Sequence, residues 1–191
     1  MHQRGRDITD QEKSRSLRKF EVIYLKYLRD VEFWLAVVII LVTIPLSVAT
    51  YFRWFQLNFF VGSFRFTHWL SWIGTLFIAL FTPAYYVLKR RYHKKLKALL
   101  RIHVFGNLIS FLLISIHYAQ QVGRPPRFFP DLGTGLVLYI VMPFLVASGF
   151  LHRFQILKTI KPHLNRFFHV AITLTFYMVI LVHILQGLNV L

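Results

Sequence analysis

Cysteine is absent from this chain of 191 residues. Without a thiol the chain can form no disulfide, cannot attach a c-type haem through a C-x-x-C-H motif and cannot hold an iron–sulfur cluster by cysteine ligation. Acidic residues are scarce as well, because only 7 Asp and Glu occur and only Asp131 follows Glu32. Proton-driven transporters and pumps usually carry carboxylates inside the membrane. The sequence therefore argues against that class.

Signals of a soluble catalytic domain are also missing from the sequence. No G-x-G-x-x-G motif follows a predicted strand, so nothing indicates a site for a flavin or a nicotinamide. No low-complexity tract and no long linker divides the chain into domains. We expect that the chain cannot oxidise NAD(P)H by itself.

Long apolar runs dominate what the sequence does contain. Each run has 20 to 25 residues between flanking charged residues, which matches the ~20 residues that a helix needs to span a bilayer. The sequence therefore predicts an all-α membrane protein with five transmembrane helices. The runs are Phe33–Phe52, Phe66–Leu88, Ile102–Gly123, Leu132–Leu151 and Phe167–Leu191.

The net charge of +16 would suggest nucleic-acid binding in a soluble protein, but its distribution indicates membrane topology instead. Lys and Arg concentrate in the segments 1–32, 89–101 and 152–166, which lie on one side of the predicted bilayer. By the positive-inside rule we expect a cell-membrane protein with its N-terminus in the cytoplasm and its C-terminus outside. The opposite side carries Arg53, Arg65, Arg124 and Arg127.

Residues 1–32 are predicted to form a cytoplasmic amphipathic helix on the inner membrane surface. Thr9 and Glu12 fit a capping box, and Leu17, Phe20 and Tyr24 recur on one face. A mobile cytoplasmic tail is the alternative interpretation. The remaining residues, 33–191, are predicted to form the transmembrane domain.

Two of the predicted spans each carry a pair of histidines with the same separation of 14 residues. The pairs are His103 with His117 in the third span and His169 with His183 in the fifth. Fourteen residues rise about 21 Å along a helix and turn through about four turns, so both members of a pair face one interface. Because the two spans run in the same direction, His103 and His169 share the inner level, and His117 and His183 share the outer level.

Two imidazoles that face each other at one depth can supply both axial ligands of a haem iron. We therefore predict two b haems, one at each level, with the four histidines as metal ligands and residues 33–191 as the haem-binding domain. With both axial positions filled, such haems would relay electrons rather than bind a ligand. The alternative is four unrelated histidines that hydrogen-bond between helices.

Glycines and arginines form the weaker part of the predicted cofactor site. Gly135 and Gly149 in the fourth span are also 14 residues apart and would let a haem approach the backbone, although close helix packing explains them equally well. Arginines near each level would bind haem propionates. Those at the inner level also fit the positive-inside bias, whereas the outer ones oppose it. They are Arg101 and Arg166 at the inner level and Arg124 and Arg127 at the outer level.

The other histidines form no second set of ligands. His68 is predicted at the outer start of span two and His152 at the inner end of span four, so they cannot share an iron. These two are the only reserve candidates for ligation or proton transfer. His2, His93 and His163 are predicted at the surface.

Paired histidines 14 residues apart on two alternate spans resemble the ferric reductase-like transmembrane family, which includes the membrane part of NADPH oxidases. The pattern from Phe66 to Leu191 is also similar to the haem-carrying N-terminal half of cytochrome b, in which Gly135 and Gly149 fall at haem-packing glycines. The chain departs from the first family in lacking a sixth span and a flavin- and nicotinamide-binding domain. It also lacks most of the part of cytochrome b that oxidises quinol. The resemblance implies haem ligation and electron transfer, from inside to outside.

The sequence therefore predicts transmembrane electron transfer through two b haems. A separate flavoprotein or a membrane quinol would be the donor, and ferric iron, oxygen or a soluble redox protein near Arg124 and Arg127 would be the acceptor. Any enzymatic role would be as the electron-transfer component of an oxidoreductase. One alternative is a cytochrome b membrane anchor that exchanges electrons with quinone for a partner enzyme. Another is a structural or transport protein without haem.

Overall fold

A computed structural model describes residues 31–55, 57, 59–130, 132–154, 156 and 161–187. It contains five helices long and apolar enough to cross a membrane, which confirms the predicted number of spans. They are α1 (Val31–Tyr51), α2 (Phe66–Arg91), α3 (Leu96–Val122), α4 (Gly133–Phe154) and α5 (Pro162–Gly187). The predicted amphipathic helix falls almost wholly on residues 1–30, outside the described residues.

Three helices extend past the apolar runs into the basic segments. α2 ends at Arg91 rather than Leu88, α3 begins at Leu96 rather than Ile102, and α5 begins at Pro162 rather than Phe167. The charged residues continue the helix because Lys, Arg and Leu are good helix formers. In addition, the positive charges of Lys89 and its neighbours stabilise the C-terminal end of the α2 dipole. The predicted boundaries of these helices were therefore too short at the basic end.

A small antiparallel hairpin between α1 and α2 was not predicted. Its strands β1 (Phe60–Val61) and β2 (Phe64–Arg65) pair Phe60 with Arg65 and Val61 with Phe64. Gly62 has a φ of 63° in the two-residue turn between the strands, a conformation that glycine adopts without strain. The Val-Gly-Ser-Phe segment is the sequence signal for this turn.

By its internal contacts the chain divides within α1, into Met1–Val38 and Ile39–Leu191. In the second unit, α2 packs against α3 and α4 packs against α5. The Tyr177 hydroxyl of α5 donates a hydrogen bond of 2.5 Å to the Ile78 carbonyl of α2 and so connects the two helix pairs. The backbones of α2 and α3 approach closely where glycine removes a side chain, because a Cβ on Gly74 would lie 3.1 Å from the Ser110 oxygen.

The most tightly packed layer lies halfway between the two histidine levels. Ile78, Met142, Phe176 and Ile180 form its buried hydrophobic cluster. Three buried side chains fall midway along the three pairs with a 14-residue separation, and their exposed fractions are only 1–2%. They are Ser110 of α3, Met142 of α4 and Phe176 of α5. The apolar side chains on the outer surface of the helices remain exposed, as expected for a protein whose surface faces lipid.

Candidate functional site

His117, at the outer level, is held by the backbone of the neighbouring helix. Its Nδ1 lies 3.1 Å from the carbonyl oxygen of Thr67, at the start of α2. A carbonyl can only accept, so Nδ1 must carry the proton of a neutral His117 ring. The Nε2 lone pair of His117 is then available to a metal.

His183, the predicted partner of His117, makes an equivalent contact with a side chain of α4. Its Nδ1 lies 2.9 Å from Thr134 Oγ1, and the same hydroxyl donates to Gln186 Oε1 at 2.8 Å. Because the one hydroxyl proton of Thr134 goes to Gln186, the oxygen accepts from the His183 ring. The proton of His183 is therefore on Nδ1, and its Nε2 has a free lone pair.

His169, at the inner level, repeats this arrangement one level away. Its Nδ1 lies 2.9 Å from Ser148 Oγ, and Ser148 donates its own proton to the Leu145 carbonyl at 3.0 Å. The serine oxygen is thus an acceptor for the Nδ1 proton of His169. Three of the four predicted ligands therefore have the tautomer that ligation through Nε2 requires.

His103 has a different environment. Its Nδ1 lies 3.1 Å from Asn107 Nδ2, one turn further along α3. Its ring is stacked on that of Tyr85, with centroids 4.5 Å apart and an interplanar angle of 12°. A half-turn of the Asn107 amide presents Oδ1 to the same nitrogen, which would give His103 the tautomer of the other three.

Gly149 and Gly135 of α4 lie beside the histidines of α5. A Cβ on Gly149 would lie 3.1 Å from His169 Cε1, and a Cβ on Gly135 would lie 3.3 Å from His183 Cε1. Both glycines therefore belong to the predicted levels, but the group each one accommodates in the structure is an imidazole ring. Approach of a haem to these glycines stays a prediction.

The histidines are associated in the pairs that the sequence predicts. His169 is an electrostatic neighbour of His103, and His183 is an electrostatic neighbour of His117. No group of three or more His, Asp or Glu gathers as a metal site in the described part of the chain. Any metal at one of these levels would thus have two protein ligands, which is the number an axial pair supplies to a haem iron. The donor atoms and the glycine spaces fit a haem.

The four predicted arginines do not behave alike. Burial and the neighbouring charges of Arg65 and Arg53 lower the pKa of Arg124 from its usual value. The Nε of Arg124 is buried without a hydrogen-bond partner among the described residues, so an anionic group would be stabilised there. By contrast, Arg127 is exposed and lies over the Phe128 ring, 4.7 Å from its centroid.

At the inner level, Arg101 and Arg166 precede the histidines of α3 and α5 and are both exposed. Propionate binding by all four arginines stays a prediction.

His68 lies closer to the site than the sequence suggested. Its ring meets that of His117 edge to face, with centroids 5.3 Å apart, and its buried Nδ1 has no hydrogen-bond partner in the described ranges. His152 lies at the opposite level, as an electrostatic neighbour of His169. His93 and His163 are exposed, as predicted.

Several contributing residues escaped sequence reasoning. Thr134 and Ser148 immediately precede Gly135 and Gly149, so a hydroxyl-glycine pair repeats at the histidine spacing. This repeat was a readable signal, whereas the contacts of Tyr85 and Thr67 depend on how α2 packs. Comparison of the chain with protein-family models, with curated proteins and with solved structures finds no match in any of the three.

Proposed function

We propose that the chain is a di-haem membrane cytochrome that transfers electrons across the bilayer. His103 and His169 would ligate the inner b haem, and His117 and His183 the outer one. Each haem iron would supply a one-electron carrier at its level. The resemblance to the ferric reductase-like family and to cytochrome b supports this proposal.

The observation that carries the proposal is the anchoring of Nδ1 in three of the four histidines. A ring that donates from Nδ1 to a fixed acceptor keeps its orientation and its tautomer, and histidines that ligate metals are commonly held in this way. Histidines that served only as hydrogen-bond links between helices would need partners for Nε2 as well. Among the described residues no hydrogen bond to an Nε2 of these rings is found at His117, His169 or His183.

The middle layer supports a relay of two separate carriers. Met142 and Phe176 fill the space between the levels with apolar side chains, and the Tyr177 hydroxyl is committed to the Ile78 carbonyl. Because no charged side chain is among the buried residues of this layer, ions would be excluded from it. Electrons could then cross while protons and other ions do not.

The partners follow from what the chain lacks. A separate flavoprotein or a membrane quinol would deliver electrons, and ferric iron, oxygen or a soluble redox protein would accept them. The acceptor would approach the outer level near Arg124, where the buried guanidinium favours an anionic group. The membrane topology, with the basic segments in the cytoplasm, sets the proposed direction from inside to outside.

His68 favours a second candidate function, the exchange of electrons with quinone. Its unpartnered Nδ1 beside His117 is suited to a hydrogen bond with a quinone carbonyl near the outer level. Extraction of the purified protein and identification of a bound quinone would support this candidate. Loss of that quinone in His68→Phe, with both haems retained, would place it at His68.

The proposed function is tested by haem stoichiometry in a pyridine haemochromogen assay. The wild type should contain two b haems, and His117→Ala and His169→Ala should each lose one. His93→Ala and His163→Ala, which replace exposed histidines, are the matched controls and should keep both. Colourless protein after expression with sufficient haem would contradict the proposal.

A further inference from the structure

The two hydroxyl side chains on α4 have equivalent positions at the two levels. Thr134 lies 2.9 Å from Nδ1 of His183, and Ser148 lies 2.9 Å from Nδ1 of His169. Each hydroxyl sends its own proton elsewhere, to Gln186 Oε1 for Thr134 and to the Leu145 carbonyl for Ser148. Both oxygens are therefore left to accept from a ring N–H.

We propose that Ser148 and Thr134 are positioning residues that set the reduction potentials of the two haems, Ser148 the inner one and Thr134 the outer one. The inference rests on the proposed haem ligation by His169 and His183. It adds residues of α4, which supply no ligand, to the control of each carrier.

The physical basis is the basicity of the imidazole ligand. An acceptor at Nδ1 draws on the ring proton and makes Nε2 a stronger donor to a metal. A stronger donor stabilises ferric iron more than ferrous iron, so the acceptor lowers the reduction potential. Removing the hydroxyl should therefore raise the potential of the haem at that level and leave the other unchanged.

The surroundings predict a larger effect at Ser148 than at Thr134. Ser148 is part-buried, and its own proton is held by a backbone carbonyl of the same helix. The Thr134 hydroxyl is exposed and its acceptor is the side chain of Gln186. Water or a moved side chain can replace an exposed acceptor more easily than a buried one.

The two ligands on α3 are held differently, which makes α4 the place to test the effect. His117 donates to the Thr67 backbone, an acceptor that side-chain substitution does not remove. Thr173 offers a matched control for the inner level, because its hydroxyl bonds the backbone carbonyl of His169 at 2.6 Å and not the ring. Thr173→Ala removes a hydroxyl near the same histidine without touching Nδ1.

Spectroelectrochemical redox titration of the full-length, haem-loaded protein tests the proposal. In Ser148→Ala one midpoint potential should rise and in Thr134→Ala the other should rise by less, while both variants keep two haems. Ser148→Thr and Thr134→Ser should restore the wild-type potentials, and Thr173→Ala should leave both unchanged. The low-spin ferric EPR signal of the affected haem should shift with its potential.

Unchanged potentials in Ser148→Ala, or an equal shift in Thr173→Ala, would overturn the inference while leaving the haem assignment intact. Absence of haem from the wild type would instead overturn the proposed function and the inference with it. If Ser148→Ala loses a haem, Ser148→Cys replaces it, since a thiol is a weak acceptor of similar size. A raised potential in Ser148→Cys supports the role, and an unchanged potential contradicts it.

Discussion

Gly149 lies so close to His169 that a Cβ at this position would be 3.1 Å from Cε1 of the imidazole ring. Real Cβ atoms rarely make so short a contact, so the ring and the helix can keep their arrangement only with glycine here. The same relationship links Gly135 to His183 at 3.3 Å. The glycines of α4 thus help to set where the rings of α5 stand.

Gly149→Ala should disturb the inner haem more than Gly135→Ala disturbs the outer one. The tighter contact forces the His169 ring to move, whereas the exposed His183 ring can give way. We expect partial loss of one haem from Gly149→Ala and near-complete retention in Gly135→Ala, measured by haem content after purification. Equal losses in both variants would contradict this account of the two contacts.

Gly106→Ala should lower the stability of the α2–α3 pair. A Cβ at this position would lie 1.9 Å from Cζ of Phe77, so the aromatic ring must be displaced. Overpacking of this kind costs about 1–3 kcal/mol, which thermal unfolding in detergent should detect as a lower Tm. Gly187→Ala is the control, because no atom lies within 4 Å of a Cβ at that position, and its Tm should not fall.

Tyr177→Phe should loosen the connection between α5 and α2. The substitution removes the hydroxyl that bonds the Ile78 carbonyl and leaves the ring in the apolar layer. Hydrogen bonds between membrane helices contribute about 0.6 kcal/mol on average, so a small decrease in Tm is expected, with both haems retained. Tyr86→Phe is the comparison, since the hydroxyl of Tyr86 bonds Arg90 on its own helix, and its Tm should stay unchanged.

Asn107→Leu should weaken haem retention at the inner level. The account requires Asn107 to present Oδ1 to Nδ1 of His103, and loss of such a partner typically costs about 10–100-fold in metal affinity. Haem loss to an excess of apomyoglobin, followed by absorbance, should be faster for one of the two haems. Asn165→Leu is the matched control on α5 and should release haem at the wild-type rate. A wild-type rate in Asn107→Leu would show that His103 needs no such partner.

The number of helices and the two levels could be predicted from the sequence because both depend on simple lengths. A run of about 20 apolar residues spans a bilayer, and a separation of 14 residues returns a side chain to the same helix face. The equal spacing of Gly135 and Gly149 likewise placed them at the two levels, which the structure bears out by their contacts with His183 and His169.

What could not be predicted depends on how one helix meets another. The stacking of Tyr85 on His103 and the contact of His68 with His117 require the depth of α2 relative to α3, and an apolar run does not specify that depth. The helix ends were also missed, because Lys89 and its neighbours continue a helix as readily as they form a loop. The hydroxyl partners Thr134 and Ser148 were within reach of the sequence, since they repeat with the glycines.

The pairing of histidines across α3 and α5 is the central claim, and haem stoichiometry in double variants tests it most directly. His103→Ala with His169→Ala removes both ligands of one level, so the account predicts that one haem remains. His103→Ala with His183→Ala removes one ligand from each level and should leave none. The same haem content in both double variants would contradict the assignment of the ligands to two levels.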